Sequence, residues 1–375
     1  MKKILILSFS KIQSDPRVMR QIRLLEQVCD LTVAGYGEKP DANIRFVEVV
    51  KPRTGIVRKI WWALKLLAGA FESYYWGQNH VRSAERLLKS VDADLIVAND
   101  LSALPLALRL AGSRPVLYDA HEYSPRELED QFVWRLLFGR YNHAFCKRYL
   151  PQVAGMLTVC QGIADEYARN YGVKPKVVHN APVNQHLIPS PVQDGRIRMI
   201  HHGVASRVRH LEAMVEMMRL LDDRFTLDLM LMEVEPDYMH SLRQKAGQDS
   251  RIRFIKPVPM PQICQSINGY DNGLYLLPPN NFNQRHALPN KFFEFVQASL
   301  AVAIGPSPEM ATLVQRHRCG VVAESFEPPA LARTLQGLTA ENVAAYKEAS
   351  HRAAQELSFT RGGAVILSEI SRLAQ

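Results

Sequence analysis

Lys291 and Glu294 stand three residues apart behind Leu288-Pro289-Asn290, at what reads as the start of a helix. Pro289 and Asn290 end the preceding loop, Asn290 is placed to cap the helix, and the i,i+3 spacing sets ammonium and carboxylate one turn apart on one face. A helix N-terminus is a ready anion site, Lys291 adds a full charge, and Glu294 can accept hydrogen bonds from a pair of sugar hydroxyls. The plainer alternative is a capped helix with one surface salt bridge contributing about 0.2–0.5 kcal/mol. A second stretch, His201-His202-Gly203-Val204-Ala205-Ser206-Arg207-Val208-Arg209-His210-Leu211-Glu212, reads as a strand end, a small-residue loop and a helix start. Gly203 permits close backbone approach, and Arg207 and Arg209 carry planar forks that clamp phosphate oxygens, or else face solvent. His201 and His202, adjacent on a strand, point to opposite faces, which argues against a metal there.

The elements that must hold these residues form an α/β pattern. Short apolar runs at 4–8, 31–34, 44–50, 95–98, 116–118, 156–159 and 177–179 alternate with longer periodic segments, as in a parallel sheet with crossover helices. A turn-rich stretch from Gln185 to Gly195 breaks the rhythm and reads as a linker. Beyond it the alternation restarts, with strands at 197–201, 226–232, 252–255, 273–277, 301–304 and 320–323 and a helix expected over 209–221. Two doubly wound domains follow, 1–185 and 186–357, with a C-terminal helix in 358–375 as a candidate to complete the first. In open α/β sheets ligands bind beyond the carboxyl ends of the strands, so the two domains are expected to face a central cleft.

Composition narrows the function classes. With 375 residues, 47% hydrophobic and 22% charged, the chain is an ordinary globular one, neither disordered nor fibrous. Forty-six Lys+Arg against 37 Asp+Glu leave a net charge of +9, which favours an anionic partner. Five scattered cysteines without Cys-x-x-Cys spacing suggest neither a disulfide framework nor a zinc site, and fit a reducing cytoplasm. The longest apolar attempt, 60–71, is too short to span a bilayer and contains Lys65. No helix-turn-helix, zinc-finger or aromatic RNA-binding signature accompanies the basic charge, so nucleic acid is not an expected partner.

Along nearly the whole chain these residues resemble the retaining GT-B glycosyltransferases of family four. The collinear matches are Asp15-Pro16-Arg17-Val18, Asn99-Asp100, Tyr118-Asp119-Ala120-His121-Glu122, Val159-Cys160-Gln161-Gly162-Ile163 and Val178-His179-Asn180-Ala181-Pro182. They continue through His202-Gly203, Arg209-x-Leu211-Glu212, Leu288-Pro289-Asn290-Lys291-x-x-Glu294 and Gly305-x-Ser307-Pro308-Glu309. The resemblance implies two Rossmann-like domains and transfer, with retention, from a nucleotide-diphosphate-sugar donor to a lipid-linked or polysaccharide acceptor, without cofactor or metal. Donor contacts would come from Gly203, Arg207, Arg209, Asn290, Lys291 and Glu294, the last matching the ribose-binding glutamate of the family's Glu-x7-Glu motif. His121, Arg209 and Lys291 would serve catalysis, and Asp15, Arg17, Asp100 and Glu122 the acceptor side. Asp15 and Asp100 could equally cap helices. Two positions depart from the pattern: His286 stands where the motif's first acidic residue is expected, and Val204 where many relatives carry a phosphate-binding arginine.

Two further stretches carry aromatic and basic residues together. Over 53–76, read as one helix, Ile56, Ile60, Leu64, Leu67 and Phe71 form a stripe widened by Val57 and Trp61, with Arg58 and Lys65 on another face. Over 131–150, Trp134, Phe138, Tyr141 and Phe145 alternate with Arg135, Arg140, Lys147 and Arg148. That composition suits helices lying in a membrane interface, or else core helices with solvated basic edges. The expectation is a peripheral enzyme on the cytoplasmic face of an anionic membrane. Two other readings are a sugar-nucleotide epimerase of the same fold and a non-catalytic nucleotide-sugar-binding partner of an assembly complex.

Overall fold

Two parallel sheets account for the alternation of apolar runs, each in its own unit of a computed structural model that describes residues 1–51, 55–193 and 195–374. Arg53, Asp194 and Gln375, which fall within the stretches discussed above, lie outside the described residues. The first unit comprises Met1–Val178, Asn281–Asn283 and Gly362–Gln375, and the second His179–Asn280 and Gln284–Arg361. The division thus comes after Val178, before the linker expected at Gln185.

In the first unit the strands are β1 (Lys3–Lys11), β2 (Asp30–Tyr36), β3 (Arg45–Glu48), β4 (Leu95–Asn99), β5 (Val116–Ala120), β6 (Gly155–Thr158) and β7 (Lys176–Val177). Ile4, Leu5, Ile6 and Leu7 on β1 are successive and all at most 1% exposed, so helices cover both faces of the sheet. The order β3-β2-β1-β4-β5-β6-β7 makes the chain wind outward from β1 and then return to its other side. Between β1 and β4 the connections therefore diverge, opening a crevice at the carboxyl ends of the strands. Asp15 caps helix Pro16–Leu25 by accepting from the Arg17 and Val18 amides at 3.2 Å each, with Pro16 preset for the first turn.

The second unit repeats this logic with β8 (Ile197–Ala205), β9 (Phe225–Glu233), β10 (Ile252–Ile255), β11 (Asn272–Tyr275), β12 (Ala301–Ile304) and β13 (Gly320–Val322). Its order, β10-β9-β8-β11-β12-β13, places the divergence between β8 and β11. Helix Asn290–Gln297 lies close on β11, because Gly273 has no side chain and the Phe295 ring occupies the space where a Cβ would stand. Met214, Leu229 and Leu331, all fully buried, anchor the core of this unit.

Several expectations need correction. The His201–Ala205 stretch is strand rather than loop: β8 keeps its register with β9 through Gly203↔Leu231 to Ala205↔Glu233, although Gly203 has φ +141°. Arg209 ends a 3-10 turn (Arg207–Arg209), and the α-helix begins only at Glu212, because His210 is left-handed at φ +47°. Pro289, not Asn290, is the N-cap of helix Asn290–Gln297. The 53–76 stretch is two helices, Ile56–Leu67 and Phe71–Trp76, separated where Gly69 turns at φ +72°. Within 131–150 a π-helical turn, Arg135–Gly139, joins Phe132–Trp134 to Arg140–Tyr149, and Tyr141 and Phe145 are buried core rather than interfacial.

Candidate functional site

In the second unit, the divergence of β8 and β11 gathers Lys291, Arg209, Glu294 and two histidines around Gly203. Lys291 and Glu294 are 6% and 7% exposed, so neither is a solvated helix-start charge. They do not pair with each other. Lys291 Nζ lies 3.3 Å from His201 Nε2 and 5.1 Å from the centre of the Tyr275 ring. His201 Nδ1 is 2.8 Å from the Leu274 carbonyl, which can only accept, so Nδ1 carries the proton and Nε2 is left to accept from the ammonium. Burial, then Lys291, holds the His201 imidazole well below its ordinary pKa, consistent with that neutral tautomer.

His202 Nε2 lies 3.4 Å from Glu294 Oε2, and burial, followed by Lys291 and Arg209, pushes its pKa down to about 3. Both rings therefore reach the one helix, although the residues alternate along β8. A Cβ on Gly203 would stand 2.9 Å from Lys291 Nζ and 3.7 Å from Arg209 Nη1, so the glycine admits two cations to one point. Burial, then Arg209, pushes the Lys291 ammonium well below the usual lysine range, with Glu294 acting in the opposite direction. Among the described residues, neither Lys291 nor Arg209 has a carboxylate within salt-bridge distance. Asn290 adds a buried Oδ1 without a partner. Such a convergence suits a polyanion that neutralises both cations at once.

Arg207 is directed elsewhere: it is exposed, 4.0 Å from Glu235 and stacked 5.5 Å over Tyr238. His286 pairs its Nδ1 with Glu309 Oε1 at 3.0 Å, so a carboxylate does reach the motif position that lacks one, from the first turn of helix Pro308–His317.

In the first unit the carboxyl ends of β4 and β5 bring His121 and Asp100 together. His121 Nδ1 is 3.3 Å from Asp100 Oδ2, and its amide donates to Asp100 Oδ1 at 3.1 Å. Its Nε2 lies 3.0 Å from Asn99 Oδ1, whose amide nitrogen in turn donates to Gln21. Arg17 is consumed structurally, because its guanidinium forks onto Asp119 at 2.6 and 2.8 Å and donates to the Val178 carbonyl at 2.7 Å. Asp119 is fully buried; burial alone would raise its carboxyl, but Arg17, then His121, hold it below the usual range. Asp15 is engaged as the helix cap described above. Asp100 and Glu122 line a cavity of about 450 Å³ together with Glu127, Tyr74, Tyr141 and His121.

Partners such as His201 with Lys291, or Glu309 with His286, lie far apart or on different elements, and no local motif pointed to them. The structure matches solved GT-B proteins along its length. It superposes on Anabaena Alr3699/HepE in complex with UDP-glucose with a TM-score of 0.73, 16% identity and 100% of both chains covered. Sucrose-phosphate synthase from Thermosynechococcus elongatus gives 0.71, at 12% identity over 99% of this chain and 98% of that one. WaaG, a glycosyltransferase involved in lipopolysaccharide biosynthesis, gives 0.64, at 15% identity over 97% and 99%. No curated protein matches the chain in sequence. Residues 31–183 match the family described as Glycosyltransferase Family 4, and the fold is one shared with GT-B glycosyltransferases.

Proposed function

We propose that the protein is a retaining glycosyltransferase that takes a sugar from a nucleotide-diphosphate donor and adds it to the terminal sugar of a lipid-linked glycan at a membrane surface. The observation that carries the donor half is the pair of cations at Gly203, Lys291 and Arg209, with no carboxylate salt bridge to either among the described residues. A diphosphate supplies the missing counter-charge, and Glu294, one turn along the same helix, is placed to accept hydrogen bonds from ribose hydroxyls. In the transfer the bond from the anomeric carbon to the diphosphate oxygen breaks, and a bond to the acceptor oxygen forms. The acceptor proton leaves with the diphosphate. Charge rises on the leaving group as this happens, so the two cations stabilise the transition state more than the ground state.

The membrane half rests on the helix Ile56–Leu67. Its Ile56, Val57, Ile60, Trp61, Leu64 and Leu67 are 47–78% exposed, so the stripe faces outward. Arg58, Lys59 and Lys65 are its only charges, with Lys65 5.6 Å from the Trp61 ring centre. The π-helical turn Arg135–Gly139 packs against this helix, and exposed Phe132, Val133 and Leu136 extend the apolar surface. Beneath it Trp62 meets Tyr74 edge-on at 5.8 Å, and Tyr74 also lines the cavity holding Asp100. An interfacial helix beside an acceptor cavity suits an acceptor carried on a lipid. No helix of the described residues is long and apolar enough to cross a membrane.

A thermal-shift panel of free nucleotides and nucleotide sugars, starting with UDP, tests the donor half. A ligand at about 100 times its dissociation constant stabilises by about 2.7 kcal/mol, so a cognate nucleotide gives a clear upward shift. A panel with no shift overturns the reading, and anomeric NMR of the product then decides between retention and inversion.

A further inference from the structure

The cavity at the carboxyl ends of β4 and β5 has a chemistry of its own. Asp100, Glu122 and Glu127 supply three carboxyl groups to its lining, and among the described residues no lysine or arginine lines it. The lining is also aromatic, with Tyr74, Phe138 and Tyr141, whose rings meet edge-on at 5.2–6.4 Å. Tyr74 and Tyr141 are each 8% exposed and line the cavity, and neither hydroxyl has a hydrogen-bond partner among the described residues. Tyr75 contrasts with them, since its hydroxyl donates to the Ser102 carbonyl and accepts from the Leu106 amide. An unpaired tyrosine hydroxyl on a cavity lining can donate to or accept from a polar ligand.

Resting on the glycosyltransferase reading, we infer that this cavity selects the acceptor by charge: it takes an uncharged or amino sugar ring and rejects phosphorylated or carboxylated sugars. Carboxylates accept from vicinal hydroxyls or an ammonium, while aromatic faces cover the apolar C–H side of a pyranose ring. An added phosphate would meet a cluster of carboxyl groups, with no lysine or arginine among the described lining residues to receive it. Burial is the larger cause of the raised carboxyls here, and the neighbouring carboxylates add to it. Burial, then Glu127 and Asp100, pushes Glu122 up to about 7, and burial, then Asp100, raises Glu127. His121 and His80 also line the cavity; His121 faces Asp100, and burial pushes His80 down to about 4. The volume of about 450 Å³ accommodates one or two sugar rings.

Saturation-transfer NMR on the full chain tests this with four matched probes: methyl glucoside, glucosamine, glucose 6-phosphate and glucuronic acid. The first two are expected to bind at least about tenfold more tightly than the last two. In the double variant Glu122→Gln/Glu127→Gln the gap should narrow to less than about threefold, while Tyr74→Phe weakens all four probes alike. UDP binding, followed in parallel by calorimetry, reports on the donor site in the other unit and on folding of the variants. Equal or tighter binding of the anionic sugars, no sugar binding at all, or an unchanged gap in the double variant overturns the charge selection. If UDP fails to bind while the sugars sort as expected, the donor reading fails and the cavity assignment stands.

Discussion

At the scale of single residues, the informative feature is a lysine that the fold keeps out of water without giving it a carboxylate. Lys291 in the nucleotide-free protein holds its proton less tightly than an ordinary lysine, because burial and Arg209 disfavour the ammonium. A bound diphosphate replaces repulsion with attraction and raises that pKa. Between the two values the complex takes up a proton, and affinity falls as pH rises through the pKa of the complex. Calorimetry of UDP binding in buffers of different ionisation enthalpy should show this uptake, and a buffer-independent enthalpy from neutral to alkaline pH would sink it. Glu294→Ala should cost roughly ten- to a hundredfold in UDP affinity, the loss of charge-assisted hydrogen bonds worth about 1.5–3 kcal/mol. Unchanged affinity on calorimetry would remove Glu294 from the site. Glu309→Gln should lower turnover by about tenfold, roughly 1.4 kcal/mol of barrier, with UDP affinity intact, because its carboxylate is held by His286 at the motif position expected near the donor sugar. If instead UDP affinity falls and turnover at saturation does not, Glu309 belongs to the nucleotide and not to the sugar. Lys291 and Glu294 were legible in the sequence because one helix start presents both. Their partners were not, since His201 and His202 come from β8 and a strand pattern gives no sign of which helix its residues will meet.

At the scale of elements, periodicity served where burial is complete and misled where it is not. The central strands were recognisable because a parallel sheet covered on both faces demands continuous apolar runs such as Ile4–Leu7, whereas edge strands such as β3, only partly buried, show shorter ones. The Arg207–Arg209 turn was not, since Arg-Val-Arg-His suits a helix until His210 takes a left-handed conformation. Helix Ile56–Leu67 is the opposite case: its stripe is that of a buried helix, yet it faces outward. That exposure turns an ambiguous pattern into a testable one. Replacing Arg58, Lys59 and Lys65 by Glu should weaken co-sedimentation with phosphatidylglycerol vesicles by roughly a hundredfold or more, since each basic residue near such a surface contributes about 1 kcal/mol and reversal adds repulsion. Wild-type protein that stays in the supernatant, or a variant that pellets equally well, would leave the stripe without a membrane partner.

At the scale of the whole molecule, the chain order and the spatial order differ, and no local pattern records that. The segment Asn281–Asn283 groups with the first unit although its neighbours in sequence belong to the second. Asn283 Oδ1 accepts from the Tyr123 amide at 2.8 Å, Asn281 donates to Asp130 at 2.9 Å, and Phe282 sets its ring 5.2 Å from Tyr123. Three residues suffice because each satisfies a polar or aromatic group there. Helix Phe359–Leu373 groups with the first unit from Gly362 onward. It lies on β6, where Gly155 leaves room: a Cβ there would stand 3.1 Å from Glu369 and 3.2 Å from Leu373. Glu369 is 2% exposed and pairs with Lys176 and Arg372, while Arg372 donates to the Ala154 carbonyl at 3.1 Å. Ile366 and Ile370 are 3% and 5% exposed, and burying two isoleucines contributes about 3–6 kcal/mol, a large part of the roughly 5–15 kcal/mol that holds a domain together. Truncation after Arg361 should therefore destabilise the first unit selectively. Limited proteolysis should cut first within Met1–Val178, and calorimetric unfolding should show an early transition, while UDP binding at Lys291 persists at temperatures below it. A truncated chain with an unaltered unfolding profile would show that β6 keeps its cover without the helix.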